Sequence, residues 1–274
     1  MRRVPAGRAA VHAALILYTL LAISPILLVI INSFKSRNAI FGSPLSLPSA
    51  STFSLIGYTS VLAKSNFPLY FLNSLTVTVS SLVLVLFFGA MAAWAITEYR
   101  FRGNALLGLY MAIGIMVPIR LGSVSILKTI VAFNLANTLT ALVLVYTAMG
   151  LPLTILSEFI QQIPREMRDA ARIDGASEYR IFWNVILPLI RPAVATVAVF
   201  TMVPIWNDLW FPLILAPGRS TQTVTLGVQQ FIGQYVTDWN AVIAALSLAL
   251  APILVLYLIF SRSLVRGITA GAVK

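Results

Sequence analysis

The sequence predicts an all-α polytopic membrane protein with six transmembrane helices. Of its 274 residues, 59% are hydrophobic and 10% are charged, and the mean hydropathy is +0.92. A soluble domain carries about 25% charged residues, so this chain has too few of them to cover a surface in water. Six apolar stretches are each long enough to cross a bilayer, which takes about 20 residues. They cover residues 11–32, 70–97, 105–127, 136–159, 190–215 and 241–261.

Two of these stretches need comment. The first follows a basic N-terminus, as a signal peptide would, but its apolar run is long and no convincing cleavage site follows Asn32. We therefore expect it to be a retained helix. The third is interrupted by Pro118 and Arg120, among other residues. Either this helix is kinked, or its second half leaves the lipid and lines a protein-walled cavity. The linker at 35–68 is rich in Ser and Pro and predicts an extramembrane loop.

The distribution of Lys and Arg predicts the orientation. With six spans both termini lie on one side, and that side holds 13 of the 19 basic residues. Basic residues accumulate on the cytoplasmic side of a membrane, so both termini are predicted to be cytoplasmic. The 13 residues are Arg2, Arg3, Arg8, Arg100, Arg102, Arg165, Arg168, Arg172, Arg180, Arg191, Arg262, Arg266 and Lys274.

Several kinds of chemistry are excluded by what the sequence lacks. The chain has no cysteine, so thiolate catalysis and cysteine metal sites are impossible. Its single histidine, His12, suits a membrane interface better than a proton relay. No cluster of acidic and histidine residues has metal-ligand or acid–base spacing. A P-loop is also absent, because Gly103 and Gly108 have the required spacing but Leu109 follows. We expect neither an enzyme nor a nucleotide site on this chain.

The longest predicted cytoplasmic segment, 161–188, has the pattern of two short helices. Pro164 suits a first helical position, and Gly175 suits the left-handed residue that ends a helix. Ser177 is placed to cap the second helix, and Pro188 to stop it. Two sets of residues follow helical spacing, so each short helix has an apolar face that the loop alone cannot bury. A partner protein or lipid headgroups would cover that surface. They are Ile163, Met167, Ala170, Ala171 and Asp174 in one set, and Tyr179, Phe182, Trp183 and Ile186 in the other.

The same segment resembles the EAA loop of the permease subunits of ABC importers. That motif has Glu-Ala-Ala, three residues, Gly, nine residues and then Ile-x-Leu-Pro. Here the sequence has Asp-Ala-Ala from Asp169, then Gly175, then Val-x-Leu-Pro from Val185. Asp169 for Glu and Val185 for Ile are the two departures, and both keep the chemical type. The resemblance, which covers nearly the whole chain, points to the maltose-type, carbohydrate-uptake group of type I importers.

In that family the loop is a coupling helix that docks in a cleft of the ATP-binding subunit. Carried over by position, the resemblance assigns the contact with the ATPase to these residues: Asp169, Ala170, Ala171, Asp174, Gly175, Ala176, Phe182, Trp183 and Pro188. Small residues allow a close approach of helices, and aromatic rings such as Phe182 and Trp183 are typical interface anchors.

The fifth span contains a polar stretch, Trp206, Asn207 and Asp208, which resembles a segment of maltose-type permeases. A charge in mid-membrane must face a partner or a wet cavity, so these residues are candidates for the solute path. The alternative is that the tryptophans form an interfacial belt and Asp208 lies near the outer boundary.

The tail, 263–274, is short, rich in glycine and predicted to be flexible. It resembles the tail of maltose-type permeases, which reaches between the ATPase subunits. On that resemblance Gly267, Thr269 and Gly271 would contact the ATPase. The alternative is a frayed terminus.

The resemblance also implies an organisation and an assembly. Residues 1–68 form an N-terminal helix and external loop, 69–262 the transporter core, and 263–274 the cytoplasmic tail. The protein would lie in a bacterial or archaeal cytoplasmic membrane. Its partners would be a second permease, two ATPase subunits that bind ATP and Mg, and an external solute-binding protein. This chain would bind no cofactor itself. The alternative is a stand-alone secondary carrier, although no paired halves are evident. The sequence does not name the solute.

Overall fold

A computed structural model describes residues 6–148, 151–232 and 237–272. Arg2, Arg3 and Lys274, which contribute to the predicted orientation, lie outside the described residues. The described chain is helical and forms two compact units. One unit combines the chain up to Pro68 with residues Gly227–Ala251, and the other combines Leu69–Leu226 with the residues from Pro252 onward.

The first unit contains helix α1 (Ala6–Ser33), two short helices, α2 (Arg37–Gly42) and α3 (Ile56–Lys64), and the start of the last helix. The linker predicted as an extramembrane loop therefore holds two short helices. Lys35 is fully buried within this unit, and its ammonium group donates to the carbonyl of Ser43 over 2.9 Å. Asn240 donates to the carbonyl of Lys35 over 2.8 Å. These bonds tie the linker to the residues at 240 and replace the water that a lysine would otherwise need.

The second unit begins with the long helix α4 (Phe67–Glu98), which is followed by α5 (Asn104–Met116). A 3₁₀ turn (Ile119–Gly122) separates α5 from α6 (Ser123–Ala132). Proline cannot continue a helix without clashing with the preceding turn, and Pro118 sits at this break. The third predicted span is thus interrupted where its sequence indicated.

The rest of the second unit surrounds the predicted loop. Helices α7 (Leu139–Thr147) and α8 (Leu151–Gln161) precede it, and α9 (Arg165–Ile173), α10 (Glu178–Ile181) and α11 (Leu187–Leu189) form it. Then come α12 (Arg191–Trp206), α13 (Trp210–Leu215) and α14 (Val224–Val228). The last helix, α15, runs from Trp239 to Ala272. The predicted flexible tail is therefore helical as far as Ala272, which corrects that expectation.

Length and apolar composition identify the helices that can cross a bilayer. Three within the described residues meet both conditions: Ala10–Ser33, Phe67–Glu98 and Leu139–Gln161. They correspond to the first, second and fourth predicted spans. A fourth candidate is α12 together with the helical segment that precedes it, with a bend of 73° between the two. In the last predicted span the described apolar segment is Trp239–Val255. The chain is an all-α polytopic membrane protein.

Two clusters of buried residues hold the second unit together. One joins α4, α8, the loop helices and α12 through residues such as Trp94, Ile160 and Ile186. The other joins α6, α7 and α13 through residues such as Tyr146 and Phe211. The first cluster supports the loop, and the second supports the break after α12.

Candidate functional site

The loop that connects α9 to α10 forms a sharp elbow. Gly175 has φ +76°, in the left-handed region that glycine adopts without strain. The amide of Gly175 donates to the carbonyl of Arg172, and the amide of Ala176 to the carbonyl of Ala171, both over 3.0 Å. This pair of bonds is a Schellman motif, which satisfies the last carbonyls of α9. Ser177 then caps α10 by accepting from the amide of Arg180. Both local predictions, for Gly175 and for Ser177, are confirmed.

The two prolines of the loop act one or two residues away from where the sequence predicts. Pro164 is the cap before α9 and not its first residue. Pro188 does not stop the second helix, because it lies inside α11 and the chain bends after Leu189. Proline has no amide hydrogen to give the preceding turn, and a π turn over Phe182–Ile186 widens the helix just before it.

An ion network fastens the elbow to the end of α4. The Glu98 carboxylate forms ion pairs with both Arg168 and Arg172 of α9. Arg172 also contacts Glu178 over 2.8 Å and Asp169 over 3.1 Å. The side chain of Arg168 is 6% exposed and that of Glu98 is 11% exposed, so this pair is out of water. The elbow is therefore held by charges on both sides of the turn.

Hydrogen bonds and partial burial within the network shift the pKa values of Arg172, Glu178 and Tyr99. The hydrogen bond from Arg172 lowers the pKa of Glu178 below its ordinary value of 4.5, although burial opposes the shift. Hydrogen bonds to Glu178 and Glu98 raise the pKa of Arg172. Partial burial and the hydrogen bond to Glu178 raise the pKa of Tyr99 to about 12. Tyr99 therefore remains a donor to Glu178, over 2.8 Å.

We expect acid to loosen the elbow. Because the pKa of Glu178 is lower in the folded protein, its contribution to stability is complete above its ordinary value of 4.5 and is lost as the pH falls through the lowered value. The unfolding temperature of the wild-type protein should fall more steeply below pH 4.5 than that of E178Q. Parallel curves for the two proteins would show that Glu178 contributes nothing.

The outer surface of the elbow is unusually apolar. Ile173 is 87% exposed and Tyr179 is 78% exposed, and Met167 and Trp183 are about half exposed. Phe182 departs from its predicted role as a surface anchor, because it is 6% exposed and lies in the core. Its ring packs edge to face against the ring of Trp183, with 5.5 Å between the ring centroids. Only Trp183 of the predicted aromatic pair presents a ring at the surface.

A second polar cluster lies where α12 ends. Asp208 is buried, and its carboxylate accepts the hydroxyl of Tyr146 over 2.7 Å. It also accepts the amides of Trp210 and Phe211 over 3.2 Å each, which satisfies two of the free amides in the first turn of α13. Arg120, on the 3₁₀ turn, makes an ion pair with it over 3.4 Å. The predicted need of Asp208 for a partner is met inside the chain.

The three candidates for the solute path differ in exposure. Trp206 is 2% exposed and Asp208 is 9% exposed, so neither presents a surface to a solute in this structure. Asn207 is exposed, and its amide group donates to the carbonyl of Val203 over 3.0 Å. Trp206 and Asp208 are therefore part of the packed end of α12, and Asn207 is the one of these three residues that is exposed. Gly267, Thr269 and Gly271 lie in α15, and their side chains are outside the described part of the structure.

Sequence reasoning missed the residues that fasten both sites. Glu98 pairs with Arg168 of the elbow, and Tyr146 and Arg120 pair with Asp208. In each pair the two residues are more than 60 positions apart in the chain. A signal was present for Glu98, which is a single carboxylate at the end of a long apolar helix. Arg168 and Arg172, four residues apart on α9, face it together.

The fold and the elbow define a membrane-embedded transport subunit. The model of the family described as "Binding-protein-dependent transport system inner membrane component" matches residues 68–270. The chain belongs to this family, and it is a translocation subunit of a binding-protein-dependent importer. The resemblance drawn from the loop is thereby confirmed.

Relatives and solved structures agree with this membership. The diacetylchitobiose uptake system permease protein NgcG of Streptomyces coelicolor is 35% identical, with 96% of this chain and 88% of NgcG covered. The probable starch degradation products transport system permease protein AmyC of Thermoanaerobacterium thermosulfurigenes is 32% identical, with 94% of each chain covered. A bacterial ABC transporter involved in import of the acidic polysaccharide alginate has the same fold. It gives a TM-score of 0.81 at 20% identity, with 96% of this chain and 98% of that chain covered.

Proposed function

We propose that this chain forms half of the path for a sugar or sugar-like solute and is driven by a separate ATPase that grips the elbow. A second, related permease supplies the other half, and an external binding protein delivers the solute. ATP and Mg²⁺ belong to the ATPase subunits, and this chain holds no cofactor. The uptake systems for which NgcG and AmyC are named support the solute class.

The exposed face of the elbow is the observation that carries the proposal. Ile173, Tyr179 and Trp183 leave apolar surface on a loop whose backbone is fixed by a Schellman motif and an ion network. Fixed apolar surface costs free energy in water and suits a protein partner. Because the loop cannot bend freely, a push on it would be transmitted to α4 through Glu98. Lipid headgroups are a weaker match than a protein surface, since exposed charges of both signs, Asp169 and Asp174 with Arg165 and Arg180, share the elbow.

The orientation follows from the same assignment. The elbow lies at the end of the membrane that carries Arg100, Arg102, Arg165 and Arg191, which is cytoplasmic by the positive-inside rule. The ATPase and both termini would lie on that side. The cytoplasmic tail beyond 262 would reach the ATPase through Gly267, Thr269 and Gly271.

Replacement of Asp169 tests the contact with the ATPase. Its side chain is 61% exposed and makes one surface ion pair, with Arg172. Such pairs contribute about 0.2–1 kcal/mol, so D169A should fold and insert normally. We expect uptake to fall by about tenfold or more, because a charge-assisted contact with the ATPase is lost. Uptake by assembled transporter in proteoliposomes and recovery of the ATPase on a tagged chain are the measurements.

A matched control is available at the same position. D169E keeps the carboxylate and should retain both uptake and ATPase recovery. Normal uptake by D169A would remove the coupling role from this residue. Uptake driven by an ion gradient with this chain alone would instead favour the secondary carrier.

The solute class is tested with a panel of three probes. Proteoliposomes that hold the assembled transporter and its binding protein receive diacetylchitobiose, maltotriose or an alginate trisaccharide, with ATP inside. We expect ATP-dependent uptake of a neutral oligosaccharide. No uptake of any probe, together with ATP-dependent uptake of a peptide or amino acid, would contradict the sugar assignment.

A further inference from the structure

Arg120 is a cation with most of its hydrogen-bonding capacity unused. Its side chain is 65% exposed, and its contact with Asp208 runs from one nitrogen over 3.4 Å. Among the described residues it makes no other hydrogen bond. Asp208 does not depend on it, because Tyr146 and two backbone amides already hold that carboxylate. A guanidinium group carries five N–H donors in a planar fork, so most of this fork is free.

The depth of Arg120 can be estimated from two helices. α12 has 16 residues and leads from the elbow end directly to Asp208, a rise of about 24 Å at 1.5 Å per residue. α5 has 13 residues and leads from the same end toward Arg120, a rise of about 20 Å. The apolar core of a bilayer is about 30 Å thick. For helices that start at the membrane boundary on the elbow side and run along the bilayer normal, both routes place Arg120 inside the membrane, in the half away from the elbow.

Hydrocarbon is an unfavourable environment for this side chain. A charged residue within the bilayer faces water or protein or extends to the interface, because exposure to hydrocarbon costs about 2.5–3.5 kcal/mol at the bilayer centre on insertion scales. Leu121, the next residue, is 77% exposed and apolar, so it suits lipid. The turn thus offers a polar side and an apolar side at one depth.

The ring of Trp210 adds a second recognition element. It is 42% exposed, and its indole nitrogen donates to the Ser123 hydroxyl over 2.8 Å, which fixes the ring plane beside the turn. A fixed aromatic face and a free N–H fork suit a solute with apolar ring faces and many hydroxyl oxygens. The Arg120–Asp208 pair has no net charge, which favours an uncharged solute over an anion.

We propose that Arg120 lines the water-filled translocation path and donates hydrogen bonds to the hydroxyl groups of an uncharged oligosaccharide beside Trp210. This proposal rests on the proposed function, since it names a solute contact of that same path. Arg120 would be a specificity-determining residue, because a site built to bind hydroxyls discriminates against solutes that lack them.

Single cysteines test the aqueous position without knowledge of the solute. The natural chain has no cysteine, so R120C and L121C each carry one reactive thiol. The assembled transporter in nanodiscs is treated with a charged methanethiosulfonate reagent, and labelling of this chain is followed by mass spectrometry. We expect R120C to react at least about tenfold faster than L121C, because ionised thiol and charged reagent both need water. Equal or slower reaction at R120C overturns the proposal.

A second measurement tests the cation itself. Uptake of maltotriose and diacetylchitobiose should fall in R120C and recover when an aminoethyl group, which restores a positive charge, is attached. A methyl group of the same reagent class should not restore it. Recovery with both reagents, or with neither, counts against the hydrogen-bonding role.

Folding and substrate class are separated by two further results. If R120C does not assemble, R120C with D208N removes both charges and is labelled in its place. Absence of sugar uptake by the wild-type transporter, together with ATP-dependent uptake of a peptide or amino acid, contradicts the sugar assignment. Equal labelling of the two cysteines with wild-type sugar uptake intact overturns the placement of Arg120 alone.

Discussion

Replacement of Glu98 with glutamine is expected to release the elbow from α4 and abolish uptake. Arg168 is 5% exposed and would lose its carboxylate partner while it remains out of water. Removal of one partner from a buried pair costs about 3–5 kcal/mol, because the other charge is left uncompensated. Arg172 would lose a second contact at the same time. Thermal unfolding and hydrogen exchange over residues 165–178 are the measurements.

Two variants separate the pair from a general effect of charge. Glu166 is exposed in the first turn of α9, so E166Q should change stability by less than about 1 kcal/mol. E98Q combined with R168Q removes both charges and should recover much of the stability. A normal exchange pattern in E98Q would mean that the network does not hold the elbow.

The elbow was predictable from sequence because its determinants are local. A glycine that adopts positive φ, a serine cap and the spacing between them act within a dozen residues, and each works by backbone geometry. The first, second and fourth spans were predictable for a similar reason, since length and apolar composition decide whether a segment suits lipid. Pro118 marked the break in the third span because proline excludes the helical bond locally.

The partners of charged and aromatic side chains were not predictable in the same way. Glu98 meets Arg168 across 70 positions, and Tyr146 meets Asp208 across 62. No periodicity encodes such pairs, because they arise from how α4, α7 and α12 pack. Phe182 shows the same limit. Helical spacing places it on one face with Trp183, but packing against α4 and α8 decides which ring is buried.

Replacement of Gly175 with valine is expected to break the turn and stop uptake, with the protein still in the membrane. At φ +76° a β-branched residue is strained by about 1–3 kcal/mol. Relief of that strain requires a different φ, which would break the bond from the amide of Ala176 to Ala171 and reorient α10. The elbow would then present Ile173 and Tyr179 in different directions, and uptake should fall by at least about tenfold.

Asparagine at the same position distinguishes backbone strain from steric contact. A Cβ atom on residue 175 would meet nothing within 4 Å in the described chain, so bulk alone does not disturb this subunit. Asparagine tolerates the left-handed region, and G175N should therefore keep the turn and most of the uptake. Both variants could lose uptake while hydrogen exchange shows that the elbow is intact. That result would mean that a partner subunit contacts the side chain introduced at residue 175. Full uptake by G175V would show that the shape of the elbow does not matter for transport, which is incompatible with a rigid contact between this loop and an ATPase.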